Sequence, residues 1–233
     1  MQLQKSMLRL LSIADGISLL NALFGFLAIL TLFSDVFPSD EMRIQLSFSF
    51  ILLAMMADGL DGIVARKTRQ SGLGDYLEAM GDMVSLGIAP AVFVFAIYYE
   101  SISYCIYYQS YLIIVLIVFL SLSIVRLASF HIMKQNEFFV GLPASAGTIF
   151  IIILAFFEIE FLYILLVIII VSLALVSNVR FPKPGLKINA IATALIIITL
   201  VIGKTYEGIA PILLFVAIAA YSITGPIYLL KKK

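Results

Sequence analysis

The sequence has few of the residues on which many functional sites depend. Its only cysteine, Cys105, cannot form an internal disulfide, and we interpret it as a small apolar residue. Its only histidine, His131, lies at the end of an apolar segment, where a solvated or hydrogen-bonded role is favoured over catalysis. Charged residues make up only 12% of the chain and the net charge is +1, so no global field favours nucleic acid binding.

Apolar residues make up 63% of the 233 residues, and the mean hydropathy is +1.14. These values are typical of polytopic membrane proteins and exclude a soluble domain built around one buried core. The sequence contains no long linker, internal repeat or low-complexity tract. We therefore predict an all-α helical bundle that forms a single membrane-embedded domain over residues 1–233.

The apolar runs predict about eight transmembrane helices. The predicted spans are about 11–34, 44–66, 74–98, 103–132, 142–157, 161–178, 187–203 and 208–230. Residues 147–178 would measure roughly 48 Å as one helix, which is too long for a single span. We therefore predict a tight hairpin there, with Glu158 and Glu160 at its turn.

Basic residues are concentrated on one side of the predicted membrane. The cations on that side are Lys5, Arg9, Arg66, Lys67, Arg69, Lys134, Arg180, Lys183, Lys187 and Lys231 to Lys233. The opposite side has only Arg43 and Lys204. Lys/Arg bias of this kind predicts that both termini face the cytoplasm, together with the end of the second span near residue 66 and the start of the third near residue 74.

Four carboxylates interrupt the second and third apolar spans. Each isolated charge at mid-depth costs about 2.5–3.5 kcal/mol on insertion scales, so a cluster of four needs a cationic partner. Asp58 and Asp61 are three residues apart, and Glu78 and Asp82 are four apart, so each pair shares one helical face. Oxygen ligands from two adjacent helices favour Mg²⁺, Mn²⁺ or Ca²⁺. Small residues that would allow close helix approach are Ala54, Ala57, Gly59, Gly62, Ala65, Gly74, Ala79 and Gly81.

This stretch resembles the signature of the CDP-alcohol phosphotransferases, D-x2-D-G-x2-A-R-x8-G-x3-D-x3-D. The matching residues are Asp58, Asp61, Gly62, Ala65, Arg66, Gly74, Glu78 and Asp82. The chain departs from the pattern in two ways. Seven residues separate Arg66 from Gly74 instead of eight, and the third acidic position is Glu78 instead of Asp.

The resemblance implies a role for each matching position. It implies metal ligands at Asp58, Asp61, Glu78 and Asp82, a general base at Asp82, and CDP-lipid contacts at Gly62, Ala65, Arg66 and Gly74. It also implies a two-ion site for Mg²⁺ or Mn²⁺, six core spans among the eight, and a homodimer.

Further segments are similar to the phosphatidylserine synthase branch of this family and its archaeal relatives. They are Ser18–Asn21, Arg126–Phe130, Gly141–Pro143 and Val176–Pro182. The implied reaction transfers a lipid phosphate group from CDP-diacylglycerol or CDP-archaeol to L-serine and releases CMP. Arg126 would then bind the serine carboxylate, although an interfacial anchor is an equal alternative.

Several alternatives remain open at the level of sequence. Asp15 either caps the first span or contributes to the acidic cleft, and Asn21 is favoured to bond a neighbouring helix instead of a ligand. The acceptor could instead be glycerol phosphate or inositol phosphate, which would demand more basic residues around Arg126. Acidic residues within helices also mark ion pathways, so a cation-coupled transporter is the alternative from another class.

Overall fold

The computed structural model describes residues 11–65, 72–130, 132–133, 137–205 and 208–231. The side chains of residues 61–65, 186 and 187 lie outside this description. The residues discussed above that are also outside it are Lys5, Arg9, Arg66, Lys67, Arg69, His131, Lys134, Lys232 and Lys233.

The described chain confirms the all-α fold and its eight helical spans. The helices are α1 (Ile13–Leu32), α2 (Asp40–Ala65), α3 (Gly74–Asp82), α4 (Ala89–Tyr98), α5 (Ile106–Phe130), α6 (Ala144–Phe156), α7 (Phe161–Leu175), α8 (Leu186–Ile202) and α9 (Ile209–Lys231). A π-helical turn, Met83–Ile88, joins α3 to α4, so that these three pieces form the third span.

Five spans are long and apolar enough to cross a membrane, and three shorter apolar helices lie within α6, α7 and α8. Large apolar side chains remain exposed on the outer faces of these helices, for example Leu166, Ile170 and Leu173 on α7. Such surfaces are stable in lipid, where the backbone polar groups are satisfied inside each helix. The protein is therefore an integral membrane protein.

The start of α1 shows the role of Asp15. The Ser12 side chain accepts a hydrogen bond from the Asp15 backbone N–H, and the Ser12 N–H donates to Asp15 Oδ2 at 2.7 Å. This reciprocal pair is a capping box, which satisfies two backbone donors at the helix start. Of the two roles considered for Asp15, the structure therefore supports capping of α1.

A small two-stranded β-sheet joins the segment after α5 to the segment after α7. Strand β1 (Phe138–Val140) pairs antiparallel with β2 (Arg180–Pro182). The sequence analysis did not predict these strands, because three residues are too few to show an alternating pattern. The turn into α6 is tight, since a Cβ on Gly141 (φ +79°) would lie 2.2 Å from the Leu175 carbonyl oxygen.

The packed core lies between α2, α4 and α6. The rings of Phe48 and Phe156 stack with centroids 4.2 Å apart, and Phe93 is tilted against Phe48 at 6.3 Å. At the same end of the bundle as the α6–α7 turn, the Tyr98 hydroxyl donates to the Ile159 carbonyl at 2.6 Å. These contacts fix α4 in the core and leave α3 at the opposite end.

Candidate active site

The structure brings together carboxylates from two different spans. Asp82, at the end of α3, is 9% exposed, and its side chain hydrogen-bonds that of Asp58 on α2. Glu78 adds a further negative charge beside Asp82. Two carboxyl groups can make such a contact only when a proton or another cation lies between them, so the arrangement suits cation binding.

Asn21 on α1 completes the surroundings of Asp82. Its Nδ2 donates a 2.8 Å hydrogen bond to Asp82 Oδ1, and the Asn21 side chain is fully buried. The interpretation that Asn21 bonds a neighbouring helix is therefore confirmed. The other amide atom, Asn21 Oδ1, is buried without a hydrogen-bond partner among the described residues. A buried acceptor of this kind is normally paired, which points to a ligand or water at this position.

Two glycines allow α1 to approach the third span closely. A Cβ on Gly81 would lie 2.8 Å from the Ser18 carbonyl oxygen, and a Cβ on Gly25 would lie 2.8 Å from Ser85 Cα. The sequence analysis placed Gly81 among residues that bring the second and third spans together. It makes room for α1 instead, and a Cβ on Gly59 would meet no atom within 4 Å.

The structure describes the side chains of only some of the predicted metal ligands. Among the described side chains, no group of three or more acidic, histidine or cysteine residues is arranged to hold a metal ion. The backbone of Asp61, Gly62 and Ala65 continues α2, but their side chains lie outside the description. The carboxyl groups of Asp58 and Asp82, together with Asn21 Oδ1, form an oxygen-rich, negatively charged set of possible metal ligands. Such a set fits a hard divalent cation.

Arg126 lies near the end of α5, beside the two-stranded sheet. It is only 8% exposed, its Nε donates to the Leu142 carbonyl at 3.3 Å, and its guanidinium lies over the Phe130 ring at 5.5 Å. A buried arginine fixed in this way is not the freely extended anchor that snorkels to the interface. Its position suits a role inside the protein.

Arg126 lines a small, open pocket with about 10 Å³ of free space. The other lining residues are Phe130, Met133, Phe138, Phe139, Val140 and Lys183. The Lys183 ammonium lies 5.2 Å from the centre of the Phe139 ring. Two cations and several aromatic rings therefore line this pocket, and the two positive charges favour an anionic group there.

Three segments that the sequence analysis singled out are hydrogen-bonded to one another beside this pocket. The first, Arg126–Phe130, bonds Leu142 of the second, and the Gly141 N–H donates to Val179 of the third at 2.8 Å. Sequence reasoning did not assign a role to Lys183, and it did not identify Asp82 as the partner of Asn21. Lys183 directly follows the segment Val176–Pro182, and this position was the one feature of the sequence that could have indicated a role for it.

The fold and the site together define a polytopic membrane protein in which the buried Asp82 meets the half-buried Asp58 of an adjacent span. The chain matches the family model described as CDP-alcohol phosphatidyltransferase over residues 11–224. Because the match covers nearly the whole chain, the protein belongs to this family.

The chain is similar to several enzymes, of which three are described here. The chain is 30% identical to the CDP-diacylglycerol–serine O-phosphatidyltransferase of Methanocaldococcus jannaschii over 76% of this chain and 77% of that protein. It is 31% identical to the archaetidylserine synthase of Methanothermobacter thermautotrophicus over 77% of this chain and 73% of that protein. It is 33% identical to the serine O-phosphatidyltransferase of Saccharomyces cerevisiae over 59% of this chain and 51% of that protein.

Proposed function

We propose that this protein transfers a phosphatidyl-type group from a CDP-lipid to the hydroxyl of L-serine and releases CMP, in phospholipid biosynthesis. The observation that carries the proposal is the contact of Asp82 with Asp58 and Asn21, at the position of the family signature. The names of the relatives support serine as the acceptor and either CDP-diacylglycerol or CDP-archaeol as the donor.

The acidic residues Asp58, Asp61, Glu78 and Asp82 would hold two divalent cations, Mg²⁺ or Mn²⁺. When bound, such ions supply Lewis-acid stabilisation of phosphoryl oxygens and neutralise the charge on the departing nucleotide. The protein's own contribution is to keep these carboxylates in place around Asp82, which is buried. The Asn21 amide binds Asp82 Oδ1 and so restricts rotation of that carboxylate.

Asp82 would act as the general base. The serine hydroxyl loses its proton to the Asp82 carboxylate while its oxygen attacks the lipid-linked phosphorus. A new phosphorus–oxygen bond to serine forms, the bond to CMP breaks, and CMP leaves. Gly62, Ala65 and Gly74 would allow the nucleotide to approach the backbone, and Arg66 would bind its phosphates.

Arg126 and Lys183 would bind the acceptor in the pocket described above. The planar guanidinium of Arg126 matches a carboxylate through two parallel hydrogen bonds, which favours serine over an acceptor without that group. Glycerol phosphate and inositol phosphate bear a dianionic phosphate. Two cations would balance such a phosphate at least as well as a carboxylate, so the preference for serine is supported by the names of the relatives and not by charge.

We also propose the arrangement of the protein in the membrane. The basic side of the bundle, with both termini and the acidic site, would face the cytoplasm, where nucleotides are available. The whole chain would form one domain, and two copies would form a homodimer. Membership of the phosphatidyltransferase family removes the basis of the transporter alternative.

The acceptor is tested with purified protein in detergent, supplied with CDP-diacylglycerol and Mn²⁺ or Mg²⁺. Serine, glycerol phosphate and inositol phosphate are added separately, and the release of CMP is measured. Release with serine alone is expected. Release with a phosphate-bearing alcohol but not with serine would contradict the proposed acceptor.

A further inference from the structure

The third span changes its helical pitch directly after Asp82. The Ala89 N–H donates to the Val84 carbonyl, five residues earlier, within the π-helical turn Met83–Ile88. The chain before this turn, α3, bears Glu78 and Asp82, whereas the chain after it, α4, packs into the core. Such turns are rare and occur often at functional sites.

A proline and a threonine stabilise this turn. In a continuous α-helix the Leu86 carbonyl would accept a hydrogen bond from the N–H of residue 90, but Pro90 has none. The Thr148 hydroxyl of α6 donates to the Leu86 carbonyl instead, at 2.9 Å. Thr148 is 1% exposed and Leu86 is also buried, so no solvent competes for this carbonyl.

The turn decides where the acidic residues point. Each α-helical residue turns the chain by about 100°, so the extra residue of a π turn rotates α3 relative to α4 by roughly that angle. Phe93 and Val94 on α4 are fully buried and fix its orientation. The direction of Asp82 towards Asn21 and Asp58 therefore depends on the turn.

We propose that Thr148 is a positioning residue for Asp82, acting through the Leu86 carbonyl and the π-helical turn. Thr148 contacts neither Asp82 nor, in this account, a substrate. The proposal rests on the proposed role of Asp82 as general base. By this proposal α6, which lies outside the acidic motif, contributes to the reaction.

The direct test replaces Thr148 with Val, which keeps the shape and removes the donor, and with Ser, which keeps the donor. We expect Thr148→Val to lower kcat at least tenfold while the KM values for serine and CDP-diacylglycerol change less than twofold. Thr148→Ser is expected to stay within threefold of the parent protein. Thr199→Val is the matched control, because that buried threonine bonds only Leu195 of its own helix, at 2.8 Å.

A double variant tests the path of the effect. Pro90→Ala restores an N–H that can bond Leu86, so Thr148→Val should reduce kcat less in that background than in the parent. An equal reduction in both backgrounds would contradict the path through Leu86. A lowered unfolding temperature for Thr148→Val with unchanged kcat would show a merely structural contact and overturn the proposal.

A second readout needs no substrate and therefore separates this proposal from the proposed function. Cys105 is first replaced with Ser, and a single cysteine is then introduced at position 80 or at position 82. Met80 is 64% exposed and Asp82 is 9% exposed. The rates at which maleimide labels the two cysteines are compared. Thr148→Val should raise labelling at position 82 relative to position 80. An unchanged ratio would overturn the proposal even if the parent protein transfers lipid to serine. A changed ratio would support the proposed effect of Thr148 on the position of Asp82 even if the parent protein does not transfer lipid to serine.

Discussion

The Asn21 amide on α1 and the Asp82 carboxylate on α3 form a buried 2.8 Å hydrogen bond between residues that are 61 positions apart. This bond fixes Asp82 relative to α1, while the contact with Asp58 connects it to α2. The carboxylate is therefore held from two other helices.

Replacing Asn21 with Leu tests the importance of this bond. Leu is similar in size but has no donor, so Asp82 loses its fixed orientation. Loss of a residue that hydrogen-bonds a metal ligand typically reduces activity about 10- to 100-fold, and we expect a reduction of that size in kcat. The measurement is the rate of CMP release with serine and CDP-diacylglycerol.

Thr31→Val is the matched control on the same helix, because Thr31 bonds only the Leu27 carbonyl of α1 at 2.7 Å. The control should keep the parent rate. Equal loss of activity in both variants would show that any buried polar change in α1 is harmful and would remove the specific role of Asn21.

Asp82→Asn removes the proposed base while keeping the size of the side chain. We expect CMP release to fall by at least about 100-fold, the lower end of the contribution of general acid–base catalysis. Binding of CDP-diacylglycerol, measured by isothermal titration, should change little. Asp75→Asn, an exposed position in the first turn of α3, is the control and should remain active. Retained turnover in Asp82→Asn would exclude Asp82 as the base.

Arg126→Lys keeps the positive charge but removes the planar pair of donors. A hydrogen bond to a charged group contributes about 1.5–3 kcal/mol, so the KM for serine should rise about 10- to 100-fold. The KM for CDP-diacylglycerol should not change. Arg180→Lys is the control, since Arg180 is exposed on β2 and lies over Phe138 at 4.9 Å, outside the pocket lining. An increase confined to the KM for the CDP-lipid would assign Arg126 to the donor site.

Gly81→Ala tests the close approach of α1 and α3. The added methyl group would lie 2.8 Å from the Ser18 carbonyl oxygen, which belongs to the backbone and cannot rotate away. Overpacking of this kind costs about 1–3 kcal/mol, so the unfolding midpoint in detergent should fall and activity with it. Gly16→Ala, where a Cβ meets no atom within 4 Å, should be neutral or raise stability. Similar losses at both glycines would contradict the packing explanation.

The apolar runs predicted the spans well because helices in a bilayer must present apolar side chains along most of their length. The tight turn after Phe156 followed from the excess length of residues 147–178, and the structure confirms it. The two-stranded sheet of β1 and β2 had no comparable signal. Its strands are three residues long, and its pairing joins segments about forty residues apart.

The site was predictable only in part. The spacing of Asp58, Glu78 and Asp82 showed which residues share a helical face, and the structure brings Asp58 and Asp82 into contact. Helical spacing does not give the rotation of one helix against another. The partnership of Asn21 with Asp82 and the packing of Gly81 on α1 depend on that rotation. Pro90 was visible in the sequence, but its consequence for Leu86 required the position of α6.

The central claim is that the carboxylates from the second and third spans bind divalent cations that the reaction needs. The most direct measurement titrates the chelated protein with Mn²⁺, follows bound Mn²⁺ by electron paramagnetic resonance, and records CMP release from CDP-diacylglycerol and serine in the same samples. We predict no CMP release before Mn²⁺ is added, recovery in parallel with binding, and weaker binding in Asp58→Asn. Full activity after exhaustive chelation, or Mn²⁺ binding unchanged by Asp58→Asn, would contradict the account.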